Sequence, residues 1–216
     1  MHIANPICDI VIPIHAPLPN RSHAFLALIK CILDTFFLTP SFPQQIIALD
    51  SQPVRDDREV YMLIHRHYNE LFRRFPGCKF IFIPENNLGL EASHAHTMVA
   101  ELKNKSVTTF SDKEDKPGVC KDGTATRGYQ FSLNLALNQG TIRFDHNLFT
   151  VTPDATPQTM RDLLEEQMLR FHWETKKVGE STRVSLTAKM GSKQDDLLIA
   201  VMMLLYWGTN AMIRRQ

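Results

Sequence analysis

The sequence predicts one α/β domain: a mixed sheet covered by helices. Three observations predict it. Short β-branched runs alternate with longer stretches of helical spacing. One run, Lys79–Ile83 (KFIFI), is continuously apolar, as in a strand buried on both faces. The stretch Leu197–Trp207 is apolar all round over 11 residues. That length is about half a membrane span and fits a buried helix, so no membrane partner is expected.

Each element follows from local chemistry. Cys8–Ile14 (CDIVIPI) is β-branched and apolar, a strand closed by the turn residues Pro17, Pro19 and Asn20. His23–Phe37 is ambiguous: its length suits a helix, its aromatic and β-branched content a strand pair. Ile46–Leu49 is a short strand. Asp56–Phe75 is a helix, acidic in its first turn, basic at Arg73 and Arg74, and stopped by Pro76-Gly77. After KFIFI come a helix over Leu90–Asn104 and a strand over Val107–Phe110. Asp112–Gly123 is a charged, solvated loop, and Arg127–Asn138 a helix ended by Gly140. Thr141–Val151 is extended. Thr156–Arg170 is a helix with Met160, Leu163, Leu164 and Met168 on its apolar side. Arg183–Lys189 is a strand and Asp195–Tyr206 the last helix.

The linker-like stretches are short, so residues 1–216 form one domain. Lys plus Arg (24) and Asp plus Glu (23) nearly cancel. Affinity for nucleic acid therefore needs a local patch. Cys8, Cys31, Cys78 and Cys120 form no CxxC pair, which argues against a zinc site or disulfide framework and for a reducing, intracellular setting. No secretory signal and no GxxxxGK[ST] phosphate loop is read.

Two acidic places could carry chemistry. Glu85 directly follows KFIFI, and strand C-terminal ends are where open α/β sheets place their sites. Glu85 is either a carboxylate projecting into such a crevice or an ordinary turn residue. The second place is Asp195-Asp196, which opens the apolar last helix. Ser192 at the N-cap with Asp195 at the third helical position would form a capping box. Capping gives no reason for the second carboxylate. Converging carboxylates without a Cys/His cluster suit Mg²⁺ or Mn²⁺. The pairs His65/His67 and His94/His96 are spaced two apart on helices, so they are poor co-ligands and read as ordinary histidines.

At these residues the chain resembles a known family. The segment KMGSKQDDLLIAVMMLLYWG resembles the final motif of herpesvirus-type terminase large subunits: a strand end, a polar loop, an Asp-Asp pair and an apolar helix with alanine at Ala200. FIFIPENNLGLEASHAHTMV resembles the family's earlier strand–glutamate–helix motif, with Glu85 at the metal-binding glutamate. FTVTPDATPQTMRDLLEEQM is similar to an extended segment and helix between them. The pieces cover most of residues 45–208, while residues 1–45 match poorly.

The resemblance implies a ribonuclease H-like nuclease domain, separate from the family's ATPase part. In that fold three antiparallel strands precede a helix, further strands and helices. It implies two divalent cations, Mg²⁺ or Mn²⁺, held by Glu85, Asp195 and Asp196. It places His15 where the family has its first aspartate; Asp9 and Asp50 are the nearest carboxylates to that position. Asp9 lies six residues from His15, about 20 Å along a strand. The activity implied is cutting of concatemeric double-stranded DNA into genome lengths. The alternative is a DNA-binding and assembly module of the same fold without cutting activity. Expected partners are DNA, the terminase ATPase part and other subunits, and the capsid portal, with the host nucleus as location. For DNA contact the sequence offers Lys176, Lys177, Arg183, Lys189 and Lys193, in one 18-residue stretch whose only acid is Glu180.

Overall fold

The computed structural model describes residues 8–15, 23–32, 44–53, 57–76, 78–84, 97, 100–101, 107–109, 111–113, 116–117, 123–150, 156–179, 181–188 and 195–213. Strands β1 (Cys8–His15), β2 (His23–Ile32) and β3 (Gln44–Pro53) form an antiparallel meander. Helix α1 (Asp57–Arg74) follows, then β4 (Lys79–Pro84), which returns beside β1 in parallel. Strands β5 (Val107–Thr109) and β8 (Ile142–Phe149) add in parallel to β4 and β3. The six-stranded order is β5-β4-β1-β2-β3-β8. KFIFI thus has a strand on each side, as its continuous apolarity requires. The ambiguous region 23–37 forms a strand over His23–Ile32. HAFLALIKCI is apolar in both of its alternating sets, which suits an interior strand with both faces covered.

Helix α2 (Gly123–Gln139) precedes β8, and helix α3 (Pro157–Leu169) follows it. Pro157 opens α3 behind a capping box: Thr156 Oγ1 accepts from Thr159 N at 3.1 Å, and Thr159 Oγ1 from Thr156 N at 3.0 Å. A separate ladder, β9 (His172–Val178) with β10 (Ser181–Thr187), turns at Gly179, whose φ of +61° favours glycine. The sequence reading missed β9 because HWETKKV is charged and polar along most of its length. A short ladder, β6 (Ser111–Lys113) with β7 (Lys116–Pro117), interrupts the expected 112–123 loop. The expected helix over 90–104 lies almost wholly outside the described residues. Helix α4 (Asp196–Ile213) ends the described chain.

The sheet has two differently covered faces. On one, Tyr68 of α1 meets Phe80 edge-on at 5.2 Å between ring centres and also meets Phe82. On the other, Ile46, Leu49 and Ile83 join one buried cluster with α4, whose residues Leu197–Leu205 are all buried. Helix α4 lies across β1, β2 and β3, with α2 and α3 packed on it. An α4 apolar on every side is what such a position demands. Among the described residues no helix is long and apolar enough to cross a membrane. Where α2 meets α4 the approach is close: a Cβ on Gly128 would lie 2.5 Å from Cε2 of Tyr206, a ring that also packs edge-on against Tyr129.

Candidate active site at the start of the last helix

The last helix begins at Asp196, so Asp195 is the N-cap residue rather than the third helical residue. Its carbonyl accepts the first intrahelical bond, from Ile199 N at 3.0 Å. This corrects the capping-box expectation; Ser192 lies outside the described residues. The Asp195 side chain has another task. Its Oδ2 accepts from Thr187 Oγ1 at 2.7 Å and from Ala188 N at 3.1 Å. The carboxylate thus ties the helix start to the end of β10. Both bonds involve an ionisable oxygen and are buried, the class of hydrogen bond with most effect on position.

The first turn is held from a second side. Gln167 of α3 is buried, and its Oε1 accepts from Leu198 N at 2.7 Å. Two adjacent carboxylates therefore sit in a turn fixed by two neighbouring elements. Asp195 is 1% exposed and Asp196 0%. Burial of charge is costly unless bonds or a cation compensate it. An all-oxygen donor pair of this kind fits a hard divalent cation. Among the described residues no three His, Cys, Asp or Glu side chains gather into one cluster.

The other expected site residues fall as follows. Glu85 follows Pro84 at the end of β4 and lies outside the described residues, so its distance to Asp196 does too. His15 is the last residue of β1. Ile14 pairs with Pro84, so positions 15 and 85 both come at the C-terminal ends of neighbouring parallel strands. By strand alternation, position 15 belongs to the face of Leu49 and Ile83, which α4 covers. Asp9 stands at the far end of β1, opposite Lys79. Asp50 points to the other face, where its Oδ2 lies 3.1 Å from Nε2 of His67 on α1, both buried. His67 is thus a core histidine with a carboxylate partner, while His65 is half-buried and bonds Asn69 at 2.9 Å.

Of the basic stretch, Lys176 and Arg183 are directly opposed across the β9–β10 ladder, and Lys177 is opposed to Thr182. Lys177 is exposed. Lys189 and Lys193 lie outside the described residues. Sequence reasoning missed Thr187 and Gln167. It also missed Trp173, which is 48% exposed at the start of the ribbon and alternates onto the face of Lys177.

An antiparallel three-stranded meander, a helix, a parallel fourth strand beside the first, and acids opening a late helix across the sheet make a ribonuclease H-like domain. Solved structures with this fold include the human cytomegalovirus terminase nuclease domain, Mn soaked and inhibitor bound. It is 13% identical with a TM-score of 0.66, over 96% of this chain and 86% of that one. The same domain, described without Mn or inhibitor, gives 14% identity and a TM-score of 0.65, over 97% and 86% of the two chains. The Mn-soaked domain gives 14% and 0.62, over 92% and 81%. No family model and no curated protein matches the chain.

Proposed function

We propose that this chain is a metal-dependent DNA endonuclease domain of the viral terminase kind. The observation that carries the reading is the buried pair Asp195-Asp196, fixed at the start of a helix that crosses the sheet on the face of position 15. The fold shared with a terminase nuclease domain that was soaked with Mn supports it. In this reading Asp196 and Glu85 hold two divalent cations, with Asp195 as a further ligand and His15 at the first-acid position. When bound, the cations supply a water of lowered pKa and charge stabilisation at the leaving oxygen of a phosphodiester. The chain's own part is to hold the ligands still. Thr187 and Ala188 fix Asp195, and the first turn of α4 carries Asp196 with it. A histidine in place of the first carboxylate removes one negative charge from the cage and favours Mn²⁺ over Mg²⁺.

The β9–β10 ribbon would contact DNA through Lys176, Lys177 and Arg183, with Lys189 and Lys193 following it in the chain. Positions 176 and 183 are in register across the ladder, and contacts of lysine and arginine with phosphate are electrostatic and salt-dependent. The substrate would be concatemeric double-stranded DNA in the host nucleus, and the partners a terminase ATPase part, other terminase subunits and a capsid portal. His15 at the first-acid position favours one second reading, a DNA-binding module of the same fold without cutting activity.

Cleavage of a supercoiled plasmid with Mn²⁺ or Mg²⁺ tests the proposal. Cutting with Mn²⁺ is expected, abolished by Glu85→Gln and by Asp196→Asn. DNA binding with no cutting under either metal would favour the second reading. Cutting that survives both substitutions would overturn the site.

A further inference from the structure

A helix start usually draws its caps from its own sequence, through a Ser, Thr, Asp or Asn at the N-cap. The start of α4 is arranged differently. Asp195 occupies the N-cap, but its Oδ2 is directed to Thr187 Oγ1 and Ala188 N on the strand side. The N–H of the third helical residue, Leu198, is a group that an N-cap carboxylate commonly takes. It donates instead to Oε1 of Gln167, 31 residues earlier on α3, at 2.7 Å. Gln167 is 1% exposed, among the apolar residues Met160 and Leu164 of its own helix and the apolar flank of α4. A long polar side chain in that setting keeps its place through the bonds it makes.

We infer that Gln167 is a positioning residue for the carboxylate ligand Asp196, acting as a cap supplied from a neighbouring helix. The inference rests on the nuclease reading above. Two features of the chemistry carry it. The amide oxygen of Gln167 satisfies a buried N–H of the ligand-bearing turn. The cap also arrives from α3, so together with the Asp195 link to β10 it pins the turn from two elements rather than one. A turn held in this way cannot shift the backbone that carries Asp196 without breaking a buried bond. Outer partners that orient metal-binding side chains typically change metal affinity about 10- to 100-fold when removed.

Mn²⁺ titration calorimetry on the whole chain without DNA, beside thermal melting, tests the inference. Gln167→Met keeps the shape and removes the acceptor. Gln167→Glu keeps the acceptor. Leu164→Ala opens a cavity on the same helix and leaves the bond in place. The expected result is about tenfold weaker Mn²⁺ binding for Gln167→Met, with Mn²⁺ affinity retained by Gln167→Glu. Leu164→Ala should also retain it despite an equal or larger loss of Tm. A folded Gln167→Met with wild-type affinity overturns the inference. So does a Leu164→Ala that weakens binding as much, or a folded Gln167→Glu as weak as the methionine variant. If Gln167→Met does not fold, the comparison of Gln167→Glu with wild type decides alone: retention supports positioning, and a tenfold loss overturns it. A wild-type chain that binds no Mn²⁺ overturns the nuclease reading and this inference with it. A wild type that binds, beside an indifferent Gln167→Met, overturns this inference alone.

Discussion

Thr187→Val isolates the bond that ties the helix start to β10. Valine keeps the shape of threonine and suits a strand as well, so packing changes little. What is lost is the hydroxyl that donates to Asp195 Oδ2 at 2.7 Å in a buried setting. Hydrogen bonds to charged groups contribute roughly 1.5–3 kcal/mol. The same oxygen still accepts from Ala188 N at 3.1 Å, so the carboxylate oxygen is not stranded. The expected loss is therefore near the middle of that range, about 2 kcal/mol. For a domain of this size that corresponds to a fall in Tm of about 4–8 °C. Urea unfolding at neutral pH measures it, with the midpoint lowered and the slope unchanged. Thr187→Ser, which keeps the hydroxyl, should recover most of the loss. A change below about 0.5 kcal/mol, or an equal loss in the serine variant, would refute the assignment of this bond as the anchor.

Three further predictions test other parts of the structure. Glu70 accepts from Arg73 and Arg74, and those bonds hold its carboxyl well below the usual range, at about 2. A depressed carboxyl contributes stability above its unfolded pKa, near 4.5, and loses it as pH falls toward 2. Glu70→Gln should therefore destabilise at pH 7, with the difference from wild type closing between pH 4.5 and 2 in denaturant titrations. His67→Ala leaves the buried Asp50 without its histidine and should cost about 3 kcal/mol or more. Because Asp50 faces α1 rather than α4, cleavage per folded molecule should not change, and a specific loss of cleavage would contradict the face assignment. In the last, removing Lys177 or Arg183 should weaken DNA binding and lower its log–log salt slope by about one each, with an unchanged slope speaking against the ribbon as the contact.

Most of the fold was legible because its core elements carry strong patterns. KFIFI and the apolar run 197–207 announce their burial by composition alone, and Pro76-Gly77 marks where α1 stops. The ribbon strand β9 was not legible, since Trp173, Glu174, Lys176 and Lys177 look like a solvated stretch until their pairing with β10 is known. The region 23–37 stayed ambiguous because an interior strand and a buried helix share one composition; only strand pairing separates them. At the site, the Asp195-Asp196 pair stood out beside an apolar helix. Its internal division of labour did not, because the bond from Thr187 and the cap from Gln167 join elements distant in sequence. A signal for Gln167 was present: it lies three residues after Leu164 and seven after Met160, on the core side of α3, where a polar residue needs a partner. No pattern in the sequence named Leu198 as that partner. The place of Asp50 was equally hidden, since its face depends on the bulged register of β3 against β2.

Anomalous diffraction from crystals of the chain soaked in Mn²⁺ would locate divalent cations at the start of α4. Mn²⁺ is expected at Asp196, with Glu85 as the second ligand. A fully soaked crystal with strong Mn²⁺ peaks elsewhere and none at Asp196 would rule out a metal site there.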